Sequence, residues 1–342
     1  MSVVKITPNT ILAITLASAV ATALYICPRR RRFLASKKQK AQLKFEQDLL
    51  DEEESAFLTN HTSYVSLNSH ELRIIDIPHE NEKTPLMVFI HGLGGQVANW
   101  ENQLQHYSKT YHVLAMDLLG SGFSEITLGW EEYKTKSLVN DIIQLIQLYP
   151  VEKPLILVGH SYGCCLSTFT AASPKIHPRL KGMVLISPKA ALGQDQLKGQ
   201  KILSWVPDFV LDTSRLKDRQ GGLYSKSVER LLGSNAPEHL RRKQLRWNLM
   251  SRTSVYKRIA VGAEFPSDSV YKQLGNLKIL FIGGEKDEIT PPKDMDIIQN
   301  KLIQDKTQMK PPHVIPNVGH MSLFVIPDTV NMFIDDFLLE LD

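Results

Sequence analysis

A serine, an aspartate and a histidine stand in this chain at the ends of apolar runs, in an order that suits acyl transfer through a serine nucleophile. Leu155–Gly163 reads LILVGHSYG. This is G-x-S-x-G after a buried-strand pattern and before a helical one, the context in which a serine is forced into a sharp strand-to-helix turn. Bulky side chains two residues to either side would clash there, and Gly159 and Gly163 avoid that clash. Ser161 is the expected nucleophile.

Leu86–Gly95 reads LMVFIHGLGG, a second apolar run ending in a glycine-rich loop. With Gly92, Gly94 and Gly95 around it, the backbone N–H of Leu93 can point at a carbonyl oxygen. The N–H of Tyr162, just after the serine, is the second expected donor of an oxyanion hole. Ile279–Pro292 reads ILFIGGEKDEITPP and places a carboxylate in a loop after a strand. Asp287 is the expected acid, with Glu285 and Glu288 as rivals. Asn317–Leu323 reads NVGHMSL, and its His320 is the expected base. The order Ser, Asp, His fits a triad in which the acid orients the imidazole and the imidazole activates the serine. His91 and His160 belong to the loop and elbow motifs, with no carboxylate-bearing loop assigned to either. Asp117–Ser124 (DLLGSGFS) reads as a tight loop with glycines at positive φ that shapes the pocket. No metal site and no organic cofactor are expected.

These residues need a frame. The 342 residues are 43% hydrophobic and 22% charged, which is globular rather than disordered. Apolar runs of strand length recur at Leu86–Ile90, Val113–Met116, Leu155–Val158, Met183–Ile186, Ile279–Ile282 and His313–Ile315. Helical patterns lie between several of them; Leu138, Ile142, Leu145, Ile146 and Tyr149 share one face. Such alternation predicts a mostly parallel sheet covered on both faces. Ser63–Ile77 alternates apolar and polar residues around Asn68-Ser69 and predicts a β-hairpin. The spacing breaks once, over about 90 residues between Ile186 and Ile279, which read as an inserted helical segment. A last helix is expected over Asp328–Leu341.

With these motifs in place, residues from about 60 to 342 resemble the α/β-hydrolase-domain family. The resemblance rests on HGLGG at 91–95, DLLGSGFS at 117–124, GHSYG at 159–163, GGEKDEITPP at 283–292 and NVGHMSL at 317–323. It implies an α/β fold: an eight-stranded, mostly parallel sheet, helices on both faces and a helical lid at about 190–270. It further implies a serine hydrolase of carboxylic esters acting through an acyl-enzyme. The relatives suggested are fungal and animal lipid or ester hydrolases with the same elbow, some of them lipid-droplet or membrane-associated. A lipid acyl ester is thus the expected substrate; a thioester or small ester is the alternative, and a non-catalytic membrane scaffold a remote one. The acyltransferase-like branch carries Asp five residues after its His. Here that position is Val325, so acyltransfer finds no support. A serine nucleophile also argues against epoxide hydrolases and dehalogenases, which use Asp.

The N-terminus is read separately. Ile11–Cys27 is mostly apolar, and Arg29–Arg32 follow it at once, with Lys37, Lys38 and Lys40 beyond. By the positive-inside rule this predicts residues 1–32 to be a membrane anchor with its basic flank, holding the catalytic domain in the cytosol at the endoplasmic reticulum or a lipid droplet. A mitochondrial segment is the alternative. Residues 33–59 are expected to be a solvated helical linker, and 60–342 the hydrolase domain. The lid's Trp205, Val206, Phe209, Val210 and Leu211, with the basic run Arg241, Arg242, Lys243 and Arg246, would suit an anionic lipid surface. A membrane surface is an expected partner, nucleic acid is not, and nothing in the sequence bears on the oligomeric state. Cys27, Cys164 and Cys165 form no disulfide framework.

Overall fold

The computed structural model describes residues 37–302 and 310–341. The chain enters through α1 (Lys37–Leu50) and the short α2 (Ala56–His61), then forms the hairpin β1 (Thr62–Leu67) and β2 (His70–Ile77). Asn68 and Ser69 at the hairpin turn have φ of 50° and 66°, as a two-residue turn matched to strand twist requires. Strand and helix then alternate through β3 (Leu86–Ile90), α3 (Glu101–Tyr107), β4 (His112–Met116), α4 (Thr135–Gln147), β5 (Leu155–His160), α5 (Tyr162–Ala171) and β6 (Leu180–Ile186). The insertion carries α6 (Gln194–Trp205), α7 (Asp208–Arg219), α8 (Lys226–Leu232), α9 (Glu238–Met250) and α10 (Thr253–Gly262). The chain closes with α11 (Asp268–Gln273), β7 (Lys278–Gly284), α12 (Lys293–Lys301), β8 (His313–Ile315), α13 (Ser322–Val325) and α14 (Pro327–Leu338).

The strands form one sheet in the order β1-β2-β4-β3-β5-β6-β7-β8. β2 is antiparallel to β1 and β4, and the other pairings are parallel. β3, β4 and β5 are buried at every position and mostly apolar, because both faces are covered. Val88, Leu157 and Leu185 face one layer, with Leu138, Ile142 and Leu145 of α4 and Leu166 of α5. Phe89, Val158 and Val184 face the other, with Leu104 and Tyr107 of α3 and Val330, Ile334 and Phe337 of α14. The parallel strands β3, β5, β7 and β8 all end on one edge, where loops converge and ligands bind in open α/β sheets.

Two expectations are corrected. First, among the described residues no helix is long and apolar enough to cross a membrane. α1 rises only about 21 Å at 1.5 Å per residue, and its sequence KKQKAQLKFEQDLL is charged along its length. The segment expected to be the anchor, residues 1–32, lies outside the described residues. The membrane-anchored location, at the endoplasmic reticulum or a lipid droplet, is therefore not supported.

Second, the stretch read as a solvated linker is docked. Leu49 is fully buried in the second core layer, and Phe45 packs against that layer. Arg246 Nε on α9 donates to the Leu49 carbonyl at 3.0 Å, Arg242 pairs with Glu52, and Arg73 of β2 pairs with Glu54. The basic run of α9 is thus engaged within the protein. Arg241 is buried and donates to the carbonyls of Ala236 (2.9 Å) and Gly233 (3.3 Å). Of the expected lid surface, Trp205 stands out at 88% exposed.

Leu49→Ala should therefore lower unfolding stability by about 2–5 kcal/mol, the usual range for truncating a buried leucine. Chemical denaturation at neutral pH measures it. A loss within about 0.5 kcal/mol, as at an ordinary surface position, would return this stretch to the status of a linker.

Candidate active site

Ser161 lies between β5 and α5 with φ 55° and ψ −122°, a strained conformation for a residue with a side chain. Neighbouring hydrogen bonds hold it: the Ser161 N–H donates to the Ile186 carbonyl at 2.9 Å, and the Ser161 carbonyl accepts from Cys164 N–H at 3.0 Å. The turn also requires close packing. A Cβ on Gly163 would lie 2.1 Å from the Ile90 carbonyl oxygen at the end of β3. A Cβ on Gly92 would meet the Ser161 Cβ at 2.8 Å. The glycine loop after β3 and the serine turn after β5 are therefore in direct contact. Tyr162 occupies the first turn of α5, where a backbone N–H has no helical acceptor.

Asp287 is 3% exposed in the turn after β7. Its Oδ1 accepts the N–H groups of Ile289 and Thr290, each at 2.9 Å. Its Oδ2 accepts the Thr290 hydroxyl at 2.7 Å and lies 2.8 Å from His320 Nδ1. Burial alone would raise this carboxyl. The hydrogen bond and charge of His320, with the two Thr290 donors, outweigh that and hold it at about 2. An ionised carboxylate only accepts, so Nδ1 is the protonated nitrogen and Nε2 of a neutral ring is the acceptor. Glu285 and Glu288 are exposed and make no hydrogen bond to His320; Glu285 accepts the Asn317 N–H instead.

The structure brings Asp287 and His320 into hydrogen-bond contact, and Ser161 and His320 onto one cavity wall. No Ser161–His320 hydrogen bond forms among the described residues. Gly92, Leu93, Gly94, Gly95 and Tyr162 line the same cavity, whose volume is about 1500 Å³. Gly159 sits beneath, where a Cβ would come within 2.6 Å of Ser167 Oγ. Among the described residues, no three His, Cys, Asp or Glu side chains gather as a metal site would need. Cys164 and Cys165 are buried, and that burial pushes both thiols up, away from nucleophilic thiolate.

Three residues given no role in the sequence reading support this geometry. Thr290 supplies two of the donors on Asp287. His160 Nε2 donates to the His320 carbonyl at 3.0 Å; burial first, then the proximity of His320, push its ring down to about 3, so it stays neutral. His91 is also kept neutral by burial. It accepts the Leu118 N–H at 3.0 Å on Nε2 and donates from Nδ1 to the Gly92 carbonyl at 2.8 Å, joining the glycine loop to the next strand end. The DLLGSGFS loop is structural at its first residue: buried Asp117 accepts Val97 N–H at 2.6 Å and Phe123 N–H at 2.9 Å.

A family model described as the alpha/beta hydrolase fold matches residues 85–327. This chain belongs to the α/β-hydrolase family. An abhydrolase domain-containing protein of Schizosaccharomyces pombe is 26% identical over 78% of this α/β-hydrolase and 73% of its own length. Human protein ABHD8 is 26% identical over 74% of this chain but only 55% of itself. Among solved structures, a thermophilic esterase of Thermogutta terrifontis shares the fold, with a TM-score of 0.65 at 19% identity over 82% of this chain and 98% of that one. Family membership supports hydrolase activity.

Thr290→Val keeps the side-chain volume of this α/β-hydrolase and removes one charge-assisted hydrogen bond from Asp287. It should cost about 1.5–3 kcal/mol of stability at neutral pH. A carboxylate depressed below its usual value contributes stability above that value and loses it as pH falls through the folded one. The difference from wild type should therefore narrow between the usual carboxylate value of about 3.9 and the depressed value of about 2. Denaturation curves across that window measure it; a pH-independent gap would mean that the hydroxyl does not act through the carboxylate.

Proposed function

We propose that this protein is a serine hydrolase of carboxylic esters, with lipid-sized acyl esters as its substrate class. The observation that carries the reading is the buried Asp287–His320 pair, 2.8 Å apart, whose His320 lies on the wall of the cavity that Ser161 also lines from its strained turn.

In this reading His320 Nε2 takes the Ser161 Oγ proton as Oγ attacks the ester carbonyl. Asp287 holds the ring in the tautomer that leaves Nε2 free and stabilises the imidazolium that forms. The developing oxyanion is met by the N–H groups of Leu93 and Tyr162, each such donor worth about 2.7–4 kcal/mol of barrier. The alcohol leaves with the proton from His320, and an acyl group remains on Ser161. Water, deprotonated by His320, attacks that acyl carbonyl; Ser161 recovers its proton and the acid is released. The same three side chains would open a thioester or a short ester. The cavity volume favours a larger substrate, since drug-sized ligands occupy about 300–1,000 Å³ and this space is about 1500 Å³. Leu192, Ile259 and Phe265 on its walls suit an acyl chain.

Ser161→Ala should abolish both ester turnover and labelling by a fluorophosphonate probe while the protein stays folded. Asp287→Asn should keep labelling weak and cost on the order of 10³–10⁴ in turnover, because the amide favours the wrong imidazole tautomer. Turnover by Ser161→Ala within tenfold of wild type would overturn the assignment, since losing a triad nucleophile costs far more.

A further inference from the structure

The cavity that holds Ser161 has a second chemical character under the lid. Arg215 and Arg219 of α7, Lys226 of α8 and Arg230 of α8 line it, against the carboxylates Asp218 and Glu229 in the same region. None of those four cations has an ion-pair partner among the described residues. Two other lining cations do: Lys189 pairs with Asp294 at 2.9 Å, and Lys286 with Glu285 at 3.7 Å. Asp218 is occupied by the Ser227 N–H at 3.2 Å.

Arg215 is the most constrained of the four. Its Nη1 donates to Thr253 Oγ1 and its Nη2 to the Asn248 carbonyl, both at 2.9 Å. Helices α7, α9 and α10 are therefore tied through one guanidinium whose acceptors are both neutral. Two of its five N–H donors are used in these bonds. Burial, then the like charge of Arg219, disfavours its charged form, while Tyr256, Asp212 and Asp218 act the other way. A cation in this setting gains from an anion that arrives with the ligand. Tyr256 also lines the cavity and reaches the glycine loop, where a Cβ on Gly94 would meet its ring at 3.5 Å. An alkyl chain would leave the remaining N–H donors of Arg215 without acceptors, and polar groups withdrawn from water without partners are costly.

We propose that Arg215, with Arg219 one turn further on, is a subsite for an anionic group of the substrate, a carboxylate or a phosphate, so that the ester cleaved at Ser161 carries negative charge away from its scissile carbonyl. This rests on the reading of Ser161 as nucleophile. Guanidinium suits either anion because its planar fork binds two oxygens at once. Arg215 is a specificity residue here: it touches the substrate's charged end and takes no part in the bond-making at Ser161.

The test uses the full chain and two substrate pairs that differ in charge. One pair is p-nitrophenyl hexanoate and the mono-p-nitrophenyl ester of adipic acid; the other is monooleoylglycerol and monooleoylglycerol phosphate. Wild type should prefer the charged member of at least one pair, and which pair shows the preference names the anion. Arg215→Gln should lower the charged-to-neutral ratio of kcat/KM by about tenfold or more, chiefly through KM, as loss of charge-assisted hydrogen bonds does. Arg215→Lys should restore part of that ratio. Since Arg215 ties three helices, Arg219→Gln, which breaks no side-chain hydrogen bond among the described residues, gives a second measure and should lower the ratio in the same direction. No preference in either pair, or a ratio unmoved by both glutamine variants, overturns the subsite while neutral-ester turnover and probe labelling leave the serine-hydrolase reading standing. Absence of all turnover and of labelling overturns both.

Discussion

The approach of α5 to the end of β3 is the contact on which the site depends. Only a residue without a Cβ at position 163 lets the helix come within van der Waals reach of the Ile90 carbonyl. That approach sets the strained turn at Ser161 against the glycine loop at Gly92, so the two backbone segments that bear the Leu93 and Tyr162 N–H groups are positioned by packing, not by flexible side chains. A donor held this way needs no reorganisation when charge develops, which is why such arrangements are effective in catalysis. The strain at Ser161 is sustained because the sheet on either side is buried on both faces.

The electrostatic part of the site follows a different rule. A carboxylate at the depth of Asp287 would be costly if it were bare. Here the turn Ile289–Thr290 folds two backbone N–H groups and a hydroxyl onto it, and His320 completes the set. His160 and Ser187 in turn approach the His320 carbonyl, so the histidine is held from its backbone as well as its ring. The pair is therefore anchored from β5, β6 and β7, three adjacent strands of one sheet.

Much of this was legible from residue order. The strands at Leu86–Ile90 and His313–Ile315 coincide with their apolar runs because glycine, proline or polar turns bound them sharply. β5, β6 and β7 run longer than their apolar cores, since ladder hydrogen bonds continue through residues that hydropathy does not mark, such as Gly159 and His160. Other features were hidden for physical reasons. Thr290 and His160 act through hydrogen bonds whose geometry depends on the turn, and no spacing announces them. The docking of α1 was missed because a few side chains, led by Leu49 and Phe45, make it within an otherwise charged helix. The basic run of α9 misled for the opposite reason: arginine satisfies carbonyls and buries its stem, so a cationic sequence does not guarantee a cationic surface. The membrane assignment drew on a segment outside the described fold, and no described helix supports it.

The docking of α1 has a consequence for how the roof over the cavity can move. α9 is clamped: its Arg246 holds Leu49 in the last turn of α1, its Arg242 holds Glu52 just beyond, and its Leu245 and Trp247 are buried in the core beneath. α6 and α7 bury no side chain fully. Parting α9 from the body would re-expose apolar surface and strand two guanidinium groups, whereas swinging α6 outward exposes little that is not already wet. Fluctuations of lowest free energy belong to the least buried elements. The roof is thus unevenly held: α9 is fixed to the body by core side chains and guanidinium groups, whereas α6 is held to α10 through Gln200, which donates to the Ala260 and Ala263 carbonyls, and carries Trp205 out into solvent.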